Sequence, residues 1–269
     1  CYIGGMRMYG CKFNAKETTK KIAHILLHWF AHDMGDPHGV VIGLSGGKDS
    51  AVAAALCCIA FGKSNVLGVL MPDIKRNEYN VTDPVNPDDF TDAEKDAMEL
   101  AEHLGIDTLV VPIGNVVSEM TSNLLCYQKC VDANTINNIK ARTRMMTLYA
   151  IAQERHLRVC CTSNASEIYL GYSTKYGDFA GDFAPLSHLT KTQVVEVGRW
   201  LELPEHLIEK APSDGMCGKT DEDAFGFTYM DLDFYLTNGH HPNPDVVEKI
   251  ECRHRHNLHK SLPMLHIEM

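Results

Sequence analysis

Four short apolar runs, separated by segments with helical character, constrain the fold of this chain more than any other feature. Each run has the length of a buried strand and is too short for a fully buried helix. Continuous apolar runs are typical of parallel strands, which are covered on both faces. The runs are GVVIGL (39–44), NVLGVLMP (65–72), DTLVVPI (107–113) and LRVCCT (157–162). Strands that alternate with helices predict an α/β fold, a doubly wound parallel sheet with helices on both faces.

Helices are predicted before, between and after these strands. Residues 16–32 carry apolar side chains at helical spacing, and residues 49–62 are small and apolar on every side until Gly62. A third helix is predicted to begin after Thr91, because Thr91 and Glu94 have the spacing of a capping box. Two further helices are predicted over 115–128 and 134–155, and a mobile surface loop over 73–90.

The composition narrows the class of protein. With 269 residues the chain can bury a sizeable core, and we expect one domain over residues 1–269, in which residues 1–10 are a vector-derived leftover or disordered. The 35 acidic and 25 basic residues give a net charge of −10, which argues against a nucleic-acid-binding surface. No apolar stretch is long enough to span a membrane. Ten cysteines without a C-x-x-C motif are expected to be reduced thiols in a cytoplasmic protein.

The segment VVIGLSGGKDSAV (40–52) joins the first strand to the next helix through two glycines. Gly46 and Gly47 allow a tight turn whose N–H groups can approach an anion, and the helix N-terminus adds its positive dipole end. An ordinary glycine turn is the alternative, but it does not account for the polar residues that flank the glycines. We therefore predict a site for a pyrophosphate group. Its residues are Gly43, Leu44, Ser45, Gly46, Gly47, Lys48, Asp49 and Ser50.

The loop SGGKDS resembles that of the ATP pyrophosphatase group, which grips the pyrophosphate end of ATP. Three later segments narrow this resemblance. They are NIKARTRMMTLYAIA (138–152), CTSNASEIYLGYSTKYGDFAGDFAPLSHLTKTQV (161–194) and EKAPSDGMCGKTDEDAFGFTYMDLDFYL (209–236). Together they are similar to the ammonia-dependent NAD synthetases, over almost the whole chain. The resemblance implies the Rossmann-like fold of the ATP pyrophosphatases and the ATP-dependent amidation of deamido-NAD, in which ATP adenylates the nicotinate carboxylate and ammonia then displaces AMP.

Asp49 and Glu167 are the candidate ligands of Mg²⁺, the metal that the resemblance implies. Both carry hard oxygen donors and are expected at the ends of two strands, where a metal could bridge phosphate oxygens. From the residues alone, Asp49 could also be a carboxylate that faces a helix dipole, and Glu167 a solvated surface residue.

Lys191 is the third candidate catalytic residue, with Asp49 and Glu167. The segment LTKTQV predicts a helix start in which Thr190 is the N-cap and Gln193 closes a capping box. A lysine in the first turn faces the positive end of the helix dipole, which costs about 0.3–1 kcal/mol unless an anion docks there. The resemblance assigns this lysine to the phosphates of ATP. A surface lysine with a buried stem is the alternative.

The remaining ligand-binding residues are implied by the resemblance. Thr162 and Ser213 match positions that contact ATP, although the family usually has threonine at the second, and several relatives have Gly-Thr where Cys161-Thr162 stands here. The residues implied for deamido-NAD are Arg142, Lys175, Asp182, His259 and Lys260. Without the resemblance, STKYGDFAGD is an ordinary polar loop and Arg142 belongs to a solvated basic helix face.

The resemblance also implies a homodimer whose substrate sites combine residues of both subunits. The helices predicted over 115–128 and 134–155 are the candidate interface. The histidines of CRHRHNLHK, His254, His256 and His259, invite a metal-site interpretation, but a polar surface helix is the simpler one.

Two other functions remain open at this point. A tRNA-modifying enzyme that adenylates its substrate would share SGGKDS, but would favour paired cysteines or a basic extension. A protein that binds ATP without turnover could keep the glycines, but would not need Asp49 and Glu167 together.

Overall fold

The computed structural model describes residues 13–32, 35, 37–75, 85–210, 222 and 225–267. Residues 1–10, Ser213 and residues 76–84 of the loop predicted over 73–90 lie outside the described part of the chain. Among the described residues, no helix has the length and apolar character required to cross a membrane.

The four predicted strands form one parallel sheet. They are β1 (Gly39–Gly43), β2 (Val66–Leu70), β3 (Asp107–Val110) and β4 (Leu157–Cys160). The order across the sheet is β3-β2-β1-β4, and all three pairings are parallel. The chain therefore reverses its direction across the sheet between β1 and β4, and in such sheets ligands bind beyond the carboxyl ends of the strands at this switch point.

The helices follow the predicted alternation. In chain order they are α1 (Ala15–His32), α2 (Lys48–Phe61), α3 (Asp92–Leu104), α4 (Gly114–Leu125), α5 (Ala133–Arg155), α6 (Ala165–Leu170), α7 (Lys191–Trp200), α8 (Glu205–Glu209), α9 (Tyr229–Asn238) and α10 (Pro244–Asn257). In the described part of the chain, short 3₁₀ helices span Lys63–Asn65, Pro87–Asp89 and Leu258–Lys260.

Both faces of the sheet are buried, as the predicted fold class requires. On one face Val40 and Ile42 pack with apolar residues of α1, α2, α3 and α7. On the other face Val41 and Val159 pack with α4 and α5, including Leu148. Successive side chains of a strand point to opposite faces, so the continuous apolar runs fill two cores. The prediction of a doubly wound parallel sheet is confirmed.

A third core lies outside the sheet and joins α6, α9 and α10. Its buried residues are Leu170, Phe225, Phe227, Tyr229, Leu232, Val246 and Ile250. His254 of α10 packs against it, with its ring stacked on that of Tyr169 at 4.1 Å and Nδ1 2.6 Å from the carbonyl oxygen of Tyr169. These contacts give His254 a structural role, because its ring and its Nδ1 both bind Tyr169 of α6.

The predicted caps and most helix limits are confirmed, whereas all four strands are shorter than predicted. The capping boxes Thr91–Glu94 and Thr190–Gln193 are both present. β3 ends at Val110 and β4 at Cys160. Beyond them the Val111 N–H still donates to the carbonyl oxygen of Leu70, and the Cys161 N–H donates to that of Phe183, which lies outside the four strands. Within the predicted surface loop, Phe90 is buried in the core, which corrects that part of the prediction.

Candidate active site

The turn after β1 presents its backbone at the switch point. Gly46 has φ of +70°, and a Cβ at this position would collide with the carbonyl oxygen of Ala93 in α3. Gly47 has an extended backbone and only the Ser45 hydroxyl near its missing Cβ, at 3.3 Å. The fold thus requires glycine at position 46, while at position 47 a Cβ would only press on the Ser45 hydroxyl, which is a side-chain atom that can shift.

The first turn of α2 is suited to an anion. Gly47 is its N-cap and provides no side-chain cap, so the first N–H groups of the helix can bind a ligand. Ser50 Oγ donates to the carbonyl oxygen of Gly47 at 2.9 Å and accepts from the Ser45 N–H at 3.3 Å, which ties the turn together. Leu44 is buried behind it, with its N–H bonded to the carbonyl oxygen of Val69.

The three candidate catalytic residues meet beside this turn. Asp49 lies in the first turn of α2, Glu167 in that of α6, and Lys191 is the first residue of α7. The Lys191 ammonium is 2.7 Å from Asp49 Oδ2 and 2.9 Å from Glu167 Oε1. Two carboxylates therefore offset the unfavourable dipole that Lys191 faces, a role that the sequence did not indicate.

Asn164 fixes the orientation of both carboxylates and was missed in the sequence analysis. Its side chain donates to Asp49 Oδ1 at 2.8 Å and accepts the Glu167 N–H at 3.0 Å. Glu167 Oε2 accepts the Asn164 N–H in return, which completes a capping box. Asn-x-x-Glu after an apolar run could have predicted this helix start, since asparagine is a strong N-cap.

The charges of the cluster are strongly coupled. Burial, and then the charge of Asp49, raise the pKa of Glu167 to about 7, against the effect of the nearby ammonium. Burial alone would lower the pKa of Lys191, but the two carboxylates reverse this effect and raise it above its ordinary value. Burial and the Lys191 ammonium lower the pKa of the neighbouring Lys48. When both carboxylates are ionised they share one ammonium, so one negative charge is in excess.

The donor set fits a hard divalent cation. Asp49 and Glu167 converge on a single position, which the monovalent Lys191 ammonium occupies in this structure. Carboxylate oxygens are the ligands that Mg²⁺ prefers, together with phosphate oxygens and water. The arrangement can therefore hold Mg²⁺ with the phosphates of a nucleotide if the lysine turns toward those phosphates.

A second cluster brings together four of the five residues implied for deamido-NAD. Arg142 Nε donates to the carbonyl oxygen of Lys175 at 3.2 Å, and Lys175 Nζ donates to that of His259 at 2.7 Å. Lys260 Nζ donates to the carbonyl oxygens of Gly171 and Ser173. These contacts join α5, the loop after α6 and the 3₁₀ helix after α10 into one basic surface.

Asp182 lies elsewhere, at the free edge of the sheet. Its Oδ2 accepts the N–H of Val159 in β4 at 2.7 Å, and its own N–H donates to the Val159 carbonyl oxygen. This carboxylate thus satisfies a backbone donor that would otherwise be unpaired at an edge strand. Thr162 is half-buried just beyond β4, near the first cluster in sequence.

The loop that carries Lys175 returns to the turn after β4 and so joins the two clusters. Cys161 Sγ and Ser163 Oγ both donate to the carbonyl oxygen of Asp178, at 3.4 and 3.2 Å. The Asp178 carboxylate accepts the Thr174 N–H at 2.7 Å, and burial raises its pKa. No local sequence signal indicates these contacts, because their partners are distant in the chain.

Comparisons with known proteins identify the family. The NAD synthase family model matches residues 31–262. The NH(3)-dependent NAD(+) synthetase of Methanococcus aeolicus is 40% identical over 224 residues, which cover 83% of this chain and 82% of that protein.

Solved structures agree with this comparison. The NMN synthetase of Francisella tularensis is 35% identical with a TM-score of 0.81, and the alignment covers 96% of this chain and 100% of that one. The NH3-dependent NAD synthetase of Campylobacter jejuni, in complex with nitrate, is 26% identical with a TM-score of 0.72 and the same coverage. These findings support neither a tRNA-modifying enzyme nor a protein without turnover. The chain therefore belongs to the NAD synthase family, whose members are ligases that form carbon–nitrogen bonds.

Proposed function

We propose that this chain uses ATP and ammonia to convert the nicotinate carboxylate of deamido-NAD into the amide of NAD. The observation that carries the proposal is the Asp49–Lys191–Glu167 cluster beside the open glycine turn, in a chain that belongs to the NAD synthase family. Arg142 of α5, Lys175 of the loop after α6 and Lys260 of the 3₁₀ helix after α10 form the basic surface where an anionic dinucleotide would bind.

The chemistry requires two steps. A carboxylate does not react with ammonia directly, because its oxygen is a poor leaving group. A nicotinate oxygen therefore attacks the α-phosphorus of ATP and pyrophosphate leaves. Ammonia then attacks the carbonyl carbon of the acyl adenylate, the bond to AMP breaks, and the nitrogen loses one proton.

The residues of the first cluster serve the departure of pyrophosphate. The first N–H groups of α2 bind the oxygens of pyrophosphate. The Lys191 ammonium stabilises the negative charge that develops on these oxygens. Asp49 and Glu167 would hold Mg²⁺, which neutralises phosphate charge when it is bound. Thr162 and Ser213 stay in this proposal as further contacts of ATP.

The second cluster orients the acceptor. Arg142, Lys175, His259 and Lys260 would bind phosphate and ribose oxygens of deamido-NAD, and Asp182 would accept from the same ligand if it leaves Val159. Binding ATP and deamido-NAD in line contributes much of the rate acceleration, because two bound and oriented reactants no longer have to meet by diffusion.

A smaller acceptor is the second candidate. The similarity to the F. tularensis NMN synthetase, at 35% identity over all of that chain, favours a test of nicotinate mononucleotide. The reacting carboxylate is the same in both compounds, so the first cluster would act unchanged. The difference would lie in contacts to the adenylate half of deamido-NAD.

A homodimer and a cytoplasmic location complete the proposal. α4 and α5 expose the apolar residues Val116, Met120, Leu125, Met146 and Tyr149. Arg142 lies one helical turn from Met146, so an interface on this surface would adjoin the basic cluster. The described cysteines are free thiols, which suits a reducing compartment.

An activity assay tests the proposal. The purified chain is incubated with ATP, Mg²⁺ and ammonium, in parallel with deamido-NAD or nicotinate mononucleotide. We expect AMP, pyrophosphate and the amidated product in equal amounts, with deamido-NAD as the better acceptor. Preference for nicotinate mononucleotide would make it the substrate in place of deamido-NAD. No amide from either acceptor would refute both proposals.

Substitution of the carboxylates tests their role. Asp49→Asn and Glu167→Gln should each lower kcat by about 10²-fold or more, because charge stabilisation through the metal is lost. The exposed ion pair Arg199–Glu209 offers the control Glu209→Gln, which should leave turnover unchanged. Wild-type rates in both active-site variants would remove these carboxylates from the metal site.

A further inference from the structure

Lys191 can reach the two carboxylates only if the N-terminus of α7 is held at the carboxyl end of the sheet. The ammonium is 2.7 Å from Asp49 and 2.9 Å from Glu167, on two other helices. A flexible side chain on a loosely held helix would not keep both contacts. Other residues must therefore fix the backbone of Lys191.

A buried serine and a buried aspartate bind the first N–H groups of α7. Ser166 Oγ accepts the Lys191 N–H at 3.0 Å and donates to Asp233 Oδ1 at 2.6 Å. Asp233 Oδ2 accepts the Thr192 N–H at 2.8 Å. Ser166 is 0% and Asp233 4% exposed, so water does not compete for these bonds.

The position of Ser166 makes this more than a helix cap. It precedes Glu167 in the first turn of α6, so one residue links the helix that carries Glu167 to the helix that carries Lys191. The distance between the carboxylate and the ammonium therefore depends on the Ser166 hydroxyl and on the Asp233 carboxylate that orients it.

α9 adds a second contact to the same lysine. It carries Asp233 and also Tyr229, whose ring centroid is 5.3 Å from the Lys191 ammonium. Tyr229 and Leu232 are buried in the third core. Packing of this core against α6 thus places Asp233 and the ring at fixed positions relative to Lys191.

We propose that Asp233 and Ser166 are positioning residues, which hold the Lys191 ammonium at the place where it meets Asp49, Glu167 and the departing pyrophosphate. The inference rests on the proposed function for its effect on turnover. Displacement of a catalytic group by about 1 Å can cost a factor of 10² in rate.

Asp233→Asn is the variant that tests the proposal. It keeps the size of the side chain but replaces one of the two acceptor oxygens with a donor, so one bond of the link is lost. We expect kcat to fall about 10- to 100-fold, with KM for the nicotinate substrate within about threefold of wild type. Ser166→Ala breaks the same link from α6 and replaces Asp233→Asn if that variant does not fold.

Asp231→Asn is the matched control on the same helix. Asp231 caps α9 through the N–H and hydroxyl of Thr228, at 2.9 and 2.7 Å, and does not contact Lys191. It should lower thermal stability while leaving kcat within about twofold of wild type. An equal loss of kcat in both variants would overturn the proposal, because destabilisation of α9 would then explain the effect.

The same substitution in a Lys191→Met background separates positioning from stability. If Asp233 acts through Lys191, adding Asp233→Asn to Lys191→Met should change kcat by less than about twofold. The same fold-loss in both backgrounds would overturn the inference.

A crystal structure of Asp233→Asn supplies a readout without turnover. We expect the Lys191 ammonium to leave its place between Asp49 and Glu167 in this variant and to keep it in Asp231→Asn. An undisplaced ammonium would refute the positioning role even in an active enzyme. A displaced ammonium in a chain that amidates neither acceptor would support positioning and refute the proposed function.

Discussion

Gly46 and Gly47 are neighbours with different physical requirements. At Gly46 the backbone is left-handed and α3 leaves no room for a Cβ. At Gly47 neither condition applies, since the backbone is extended and the nearest side-chain atom would be 3.3 Å from a Cβ. A glycine that the fold itself does not require is best explained by a ligand that approaches closely.

Alanine substitutions should separate the two roles. Gly46→Ala should lower the free energy of unfolding by about 2 kcal/mol or more, because of strain and the collision with Ala93. Gly47→Ala should leave that free energy within about 1 kcal/mol of wild type but weaken ATP binding at least about tenfold. Urea unfolding and calorimetric titration with ATP measure the two effects. If Gly47→Ala binds ATP normally, the turn is not the phosphate site.

Lys191 illustrates what sequence can and cannot predict about a single residue. The capping pattern of Thr190 and Gln193 correctly predicted that Lys191 begins a helix. The partners of its ammonium, Asp49 and Glu167, are 142 and 24 residues away, and only the tertiary structure brings them together. The unfavourable helix dipole marks Lys191 as unusual from the sequence alone, but the sequence does not show which charges stabilise its ammonium.

Among the elements, α6 has an importance out of proportion to its six residues. It carries Ser166 and Glu167, and its N-cap Asn164 also bonds Asp49. The segment SNASE was recognised in sequence only as part of a motif, and the helix was not predicted, because short helices depend on tertiary packing more than on propensity.

Removal of the α6 cap should therefore affect chemistry as well as stability. Asn164→Ala should cost about 1–2 kcal/mol of stability and lower kcat about tenfold, because Asp49 loses the donor that orients it. Asn243→Ala is a matched control, since Asn243 caps α10 through the Asp245 N–H at 3.0 Å and lies outside the cluster. Thermal unfolding and steady-state kinetics give both quantities. Loss of kcat in the control, or none in Asn164→Ala, would contradict this role.

The strands and long helices were predicted well because their signals are local. Continuous apolar runs identified β1 and β2, and a capping box identified the start of α3. The last residues of all four strands, and the first of β2, were misassigned, since a residue just beyond the end of a strand can look the same in sequence as one within it.

At the scale of the whole molecule, the strand order explains where the site lies. β1 and β4 are neighbours in the sheet although β2, β3 and the helices α2 to α5 lie between them in the chain, and the helices that follow β1 and β4, α2 and α6, carry Asp49 and Glu167. Alternation of strands and helices predicted the sheet and its parallel sense. The order β3-β2-β1-β4 and the third core of α6, α9 and α10 depend on non-local contacts, and the sequence pattern does not specify them.

The exposed apolar surface of α4 and α5 leads to a prediction about assembly. We expect a dimer by sedimentation velocity, and Met146→Glu should weaken it at least about tenfold, because an unpaired charge would be buried in the interface. Ile59→Glu introduces the same charge at an exposed position of α2 and should leave the dimer intact. A monomeric wild-type protein, or a dimer insensitive to Met146→Glu, would show that this surface of α4 and α5 is not a dimer interface.

We expect a triphosphate on the turn at Gly46 and Gly47, with its metal between Asp49 and Glu167. A crystal structure of the chain with Mg²⁺ and α,β-methylene ATP tests this placement. It should show phosphate oxygens on the first N–H groups of α2, the metal bound by both carboxylates, and the Lys191 ammonium moved onto the phosphates. A nucleotide bound elsewhere, or a metal that touches neither carboxylate, would contradict it.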